Sequence, residues 1–211
     1  MTVENVRIAT AQAYDQIVDE FVRRTGEVNE DFVEFRSSFE HCLRRGALVL
    51  DVGCGPGRDA RYFDRVGFRV LALDASSGMA TRAHEDGVVV ARADMRLMPV
   101  RANSVDGIWS AASLLHVPRS DVLSTLRSWR SLLRGDGVLG LSTSVGDDEG
   151  WEACPYDPTK QHDPTGLRRW FVHHGEGELT ALIEAAGFRI IESRERMSNR
   201  RWLQILARRA D

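Results

Sequence analysis

The stretch that most constrains this chain is residues 47–61. A short apolar, partly β-branched run, 47–52, has the composition of a buried parallel strand. It breaks into a turn with glycines at 53, 55 and 57, then recovers as a helix through Phe63. Glycines at such a turn admit positive φ and let a ligand approach the main chain closely. The amides that open the following helix make a partly positive end suited to an anionic group. Two alternatives fall away on detail. No Gly-Lys-Ser/Thr ending is present, as a nucleotide-hydrolase phosphate loop would need. The spacing of Gly53, Gly55 and Gly57 is also not that of the dinucleotide fingerprint. Asp51, two residues before the first glycine, would repel a pyrophosphate but can face a cationic amine.

Composition sets the frame for this loop. With 211 residues, 43% hydrophobic and 28% charged, the chain is long enough to bury one ordinary core. A formal charge of -3 without a long basic run argues against sequence-independent nucleic-acid binding, which relies on phosphate neutralisation. No apolar stretch approaches a membrane span, and the first residues lack a leader pattern, so a cytoplasmic protein is expected. Cys42, Cys54 and Cys154 are odd in number and widely spaced, which fits neither a disulfide framework nor a metal site. Lys160 is the sole lysine among the basic residues, a bias typical of a GC-rich, bacterial genome.

The acid-x-Gly-x-Gly-x-Gly string from Asp51 to Gly57 resembles motif I of the class I S-adenosylmethionine-dependent methyltransferases. That resemblance implies an α/β, doubly wound, Rossmann-like fold: a seven-stranded, mostly parallel sheet with helices on both faces and an antiparallel C-terminal strand. It implies S-adenosyl-L-methionine as cofactor and S-adenosyl-L-homocysteine as product. Gly53, Cys54, Gly55 and Gly57 would cradle the amino-acid end of the cofactor. Asp74, at the end of the second strand and 17 positions after Gly57, can accept hydrogen bonds from both ribose hydroxyls, with Ala75 beside it. Asp94 and Met95, after the third strand, stand where the family binds adenine through a carboxylate and the next backbone amide. Met79 would face the adenosine, and Ser110, closing the fourth strand, would lie beside the sulfonium. Tyr14, within a Tyr-Asp pair common in the family, is either a cofactor contact or a core-packing ring.

Taken in order, residues 3–45 read as a helical cap, with one helix around 13–22 and a second over 32–43. The domain proper, 46–211, alternates strands over 48–52, 68–73, 87–92, 104–110 and 138–143 with helices over 58–66, 77–84 and 119–133. Arg134 to Gly137 reads as a turn. Residues 146–166 are polar, contain Pro155, Pro158 and Pro164, and are too long for an ordinary connection; with the following stretch to about 175 they form an expected lid. A helix over 176–186 and a terminal pair, 188–194 and 202–207, complete the pattern.

Methyl transfer is an in-line displacement at an already activated carbon, so alignment and exclusion of water dominate. His116 is the leading base residue, or else a histidine packed behind the site. Arg169 and Trp170 form either a substrate wall or a solvated face, and His173 stands as a further substrate-side residue; no metal is expected. The expected acceptor is a small molecule, turned over by a monomer or homodimer without nucleic acid or membrane. RNA or protein as acceptor is the alternative, and a cofactor-binding protein that does not methylate is the third reading.

Overall fold

The computed structural model describes residues 3–26, 30–156 and 166–210. Helices α1 (Val3–Asp15), α2 (Val18–Thr25) and α3 (Glu30–His41) precede the alternating part. That part runs β1 (Leu48–Val52), α4 (Arg58–Arg65), β2 (Arg69–Asp74), α5 (Ser77–Glu85), β3 (Val90–Arg92), β4 (Val105–Ala111), α6 (Arg119–Leu132) and β5 (Leu133–Ser144). There follow β6 (Glu149–Ala153), β7 (Arg168–Val172), α7 (Glu176–Ala185), β8 (Phe188–Met197) and β9 (Arg201–Arg209). Seven strands form one sheet in the order β3-β2-β1-β4-β5-β9-β8, in which β9 runs antiparallel to both neighbours. The order reverses between β1 and β4, which is where a doubly wound sheet opens a crevice at the carboxyl ends of its strands.

The two faces of the sheet are filled differently. On one, α6 and α7 bury Val122, Leu126, Trp129, Leu179 and Ile183 against the strands. On the other, Phe35 and Phe39 of α3 and Phe63 of α4 pack around Trp109 of β4. Gly140 makes this possible, since a Cβ there would lie 2.7 Å from Trp109 and 2.8 Å from Phe39. Trp109 Nε1 donates to Asp59 at 3.2 Å, and Asp59 also accepts from Arg36 at 3.1 Å. The helix that follows the glycine turn is thereby fixed to both the sheet and the cap.

Four local expectations differ from what forms. The N-terminal segment breaks into three helices rather than two. The side chain of Asp15, the last residue of α1, accepts from the Ser76 hydroxyl at 2.6 Å and from the Gly78 amide at 2.8 Å, which ties the end of α1 to the start of α5. The third strand pairs only over Val90–Arg92, because Val88 packs instead with Ala60, Ala72 and Ala83. The expected turn at 134–137 is taken up inside β5, where the register against β4 shifts and Arg134 donates to Asp106 at 2.7 Å. Finally, the expected lid contains two strands: β6 pairs antiparallel with β7, from Glu149 opposite Val172 to Ala153 opposite Arg168. Residues 157–165 of that segment, with Pro158 and Pro164, lie outside the described residues, as do residues 27–29 between the two expected N-terminal helices.

This hairpin and the cap are packed together. Ile17, Met79 and Cys154 are buried against one another, with Tyr14, Phe21, Tyr156 and Leu167 around them. Among the described residues no helix is long and apolar enough to cross a membrane.

Candidate functional site

A cavity of about 550 Å³ lies at the carboxyl ends of β1, β2 and β4, between the sheet and the cover formed by α1, α2 and the β6–β7 hairpin. Its two walls have opposite character.

The first wall is backbone and carboxylate. Gly53 has φ +69°, and a Cβ on it would fall 2.3 Å from that of Ser113, so only glycine fits. Asp51 is buried, and its Oδ2 has no hydrogen-bond partner. Burial and then the nearby Asp59 push its carboxyl well above the usual range, against the opposing charge of Arg58. Asp74 accepts from the Gly55 amide on one oxygen and from the Ser76 amide on the other, both at 2.8 Å. Each oxygen keeps a further lone pair. Burial raises this carboxyl to about 6, although the Ser76 and Gly55 amides pull it down. For Asp94 the balance is reversed: burial raises it, but bonds from the Arg96 side chain (2.9 Å) and amide (3.0 Å) win and hold it low. Arg7 approaches the same carboxylate at 3.4 Å.

The second wall is aromatic and cationic. Tyr14 stands where α1 meets the hairpin. Arg169 Nη1 donates to the Tyr14 oxygen at 2.9 Å, and that oxygen lies 2.8 Å from His116 Nε2. His116 Nδ1 is 2.5 Å from the Trp170 carbonyl, which only accepts, so the proton sits on Nδ1 and the Tyr14 hydroxyl donates to Nε2. Burial, reinforced by the charge of Arg169, drives the His116 pKa down to about 3, and burial raises that of Tyr14. His116 is therefore neutral, with its lone pair occupied.

Of the residues singled out from sequence, Tyr14, Asp51, Gly53, Cys54, Gly55, Asp74, Ala75, Met79, Asp94, Met95, His116 and Arg169 line this cavity. Four do not. Gly57 caps α4 at φ +81°, and a Cβ there would meet Val88 at 2.7 Å; it shapes the turn from behind. Ser110 is fully buried against Ser113, whose hydroxyl holds the Val52 carbonyl at 2.6 Å, so Ala111, Ala112 and Ser113 face the cavity in its place. Trp170 points away, because strand alternation sends Arg169 and Phe171 inward and Trp170 onto Trp151 of the paired strand. His173 lies past the end of β7, where it joins Ser144 (2.7 Å) to Glu152 (2.6 Å) and straps the hairpin to the sheet.

Sequence reasoning missed Phe21, Tyr156, Arg200 and Trp202, which complete the second wall, and Arg7 and Arg96 around Asp94. Only Arg96, two residues after Asp94, carried a local signal. The others reach the cavity through tertiary packing.

Residues 50–141 match the family model for a methyltransferase domain. Among curated proteins, the chain is 33% identical over 123 residues to malonyl-[acyl-carrier protein] O-methyltransferase of Enterobacter lignolyticus, covering 54% of this chain and 48% of that one. It is 38% identical over 108 residues to ubiquinone biosynthesis O-methyltransferase of Xanthomonas axonopodis pv. citri, covering 46% and 43%. The chain thus spans less than half the length of these relatives. Among solved structures, 1,6-didemethyltoxoflavin-N1-methyltransferase of Burkholderia thailandensis, which holds 1,6-didemethyltoxoflavin and S-adenosylhomocysteine, aligns with a TM-score of 0.77. The identity is 22%, covering 100% of this chain and 92% of that one, and the likeness is one of fold.

Proposed function

We propose that this chain, whose residues 50–141 match a methyltransferase domain, is a class I S-adenosylmethionine-dependent methyltransferase that moves a methyl group from S-adenosyl-L-methionine to a small-molecule acceptor. The observation that carries the proposal is Asp51. A buried carboxylate with an unpartnered oxygen, beside a turn that admits no side chain, calls for a cation bearing N–H groups. The ammonium of the cofactor's amino-acid end supplies one. The free lone pairs of Asp74 suit a ribose diol, and Asp94 with the Met95 amide suits adenine. The relatives named for ubiquinone biosynthesis and for a toxoflavin precursor support a small acceptor.

When bound, the cofactor supplies a methyl group activated by positive charge on sulfur. The chain's own part is to orient and to exclude water. The glycine turn, Asp51 and Asp74 hold one reactant. The described residues of the proposed cap (1–45) and lid (146–175) cover the other, through Tyr14, Phe21, Tyr156, Arg169 and Phe171. Neutral His116 fixes the Tyr14 hydroxyl. It can take a proton from an acceptor only once that hydroxyl yields its lone pair, and burial makes the resulting cation costly.

Calorimetric titration with S-adenosylmethionine and, separately, NAD tests this reading. Micromolar binding of the first alone is the expected result; binding of NAD, or of neither, overturns it.

A further inference from the structure

Six arginines line the cavity, and five have carboxylates: Arg7 and Arg96 on Asp94, Arg24 on Glu20, Arg58 on Asp59 and Arg200 on Glu152. Arg169 has none among the described residues. It is 4% exposed, and among the described residues its Nε has no partner and its one hydrogen bond is to the neutral Tyr14 hydroxyl. Three rings surround the guanidinium: those of Tyr14, Phe171 and Tyr156, with centroids at 5.2, 5.0 and 5.3 Å. Ring faces soften the cost of burying the charge but do not replace an anion.

We propose that Arg169 is the anchor for an anionic group on the methyl acceptor, and that the acceptor is a planar, carboxylate-bearing molecule held between this guanidinium and the rings of Tyr14, Tyr156 and Phe171. The inference rests on the methyltransferase reading of the same cavity. A planar fork with a free Nε–H matches a carboxylate in two-point contact, which a neutral amide in the same place cannot reproduce. The surrounding aromatic edges and faces favour a flat body over a puckered one. Among the described residues no free carboxylate lies on this wall to compete, since Glu152 is already held by His173 and Arg200. The anion has a second source, the carboxylate of the cofactor itself, and the test must separate the two.

The protein saturated with S-adenosylhomocysteine is titrated calorimetrically with benzoate, salicylate and anthranilate, with their carboxamides, and with cyclohexanecarboxylate. The expected result is that at least one aromatic carboxylate binds about ten-fold or more tighter than its carboxamide, with the puckered acid weaker than benzoate. Arg169→Gln is expected to reduce that carboxylate to the level of its amide while homocysteine-product affinity stays within about two-fold. Equal binding of acid and amide overturns the proposal, as does binding of no panel member. A large loss of S-adenosylhomocysteine affinity in Arg169→Gln also overturns it, by giving this arginine to the cofactor. Should that variant fail to fold, the acid–amide comparison in the unaltered protein still decides. Failure of the unaltered protein to bind S-adenosylhomocysteine would sink the methyltransferase reading instead.

Discussion

The two walls of the cavity are built on opposite principles. The first wall, which we assign to the cofactor, belongs to strand ends, and its polar atoms are fixed by backbone: Asp74 is held by the amides of Gly55 and Ser76, and Gly53 sits against Ser113 with no room for a side chain. The second wall, which we assign to the acceptor, is assembled from α1, the hairpin and the β8–β9 turn, and its polar atoms are fixed along a side-chain relay of Arg169, Tyr14 and His116, tied to the backbone at the Trp170 carbonyl. A wall made by the sheet is rigid and reads one ligand. A wall made by a cover can be rebuilt for another acceptor without disturbing the sheet.

The largest effect should come from breaking the rigid wall. Gly53→Ala places a methyl into Ser113 at a positive φ, at a cost of roughly 3 kcal/mol or more. Thermal unfolding should show that loss, and cofactor binding should vanish; near-native affinity would mean the turn is softer than its packing implies. Asp74→Ala should weaken cofactor binding by about 1–3 kcal/mol through lost charge-assisted bonds while sparing the acceptor wall. The unaltered protein makes the same point through pH. A diol donates to the ionised carboxylate, so affinity should fall as pH drops below about 6, where Asp74 takes up a proton. The contribution of Asp74 to the stability of the free protein runs the other way. Its folded pKa lies above the unfolded one, so its ionisation between about 4 and 6 costs stability as pH rises. Affinity that is flat across pH 5–7 would remove Asp74 from the site.

Tyr14→Phe tests the seam between the walls. It leaves Arg169 Nη1 and His116 Nε2 without their shared partner, which should cost about 1–3 kcal/mol of stability. Turnover should fall more than cofactor affinity; the reverse order would assign Tyr14 to the cofactor wall. The smallest effect is expected at Trp170→Phe, whose ring faces Trp151 outside the cavity. A change in turnover beyond about two-fold would show that the hairpin's inward and outward faces are misassigned.

Legibility from sequence follows the same division. Asp51, Gly53, Gly55, Asp74 and Asp94 could be placed on the cavity because each lies at or just past a strand end, and a strand's carboxyl end is a place that sequence order alone defines. The acceptor wall resisted. Arg169 and Trp170 are neighbours in sequence, yet strand parity sends one into the cavity and the other out of it, and β6 was not legible as the partner that sets this parity. His173 looked like a site residue because nothing local shows that Ser144 and Glu152 close around it. Most telling is Arg169 itself: that it meets no carboxylate among the described residues is a matter of tertiary packing, invisible in any window of sequence.

Met79 belongs to two places at once. It lines the cofactor wall, and with Ile17 and Cys154 it forms the buried apolar cluster that joins α5 to the cap and the hairpin. On the proposed reading, departure of the spent cofactor and parting of the cover would draw on contacts of the same side chain. A turnover gated in this way is paced by how often the enclosure opens rather than by the chemistry inside it. Its signature would be a kcat that slows with solvent viscosity.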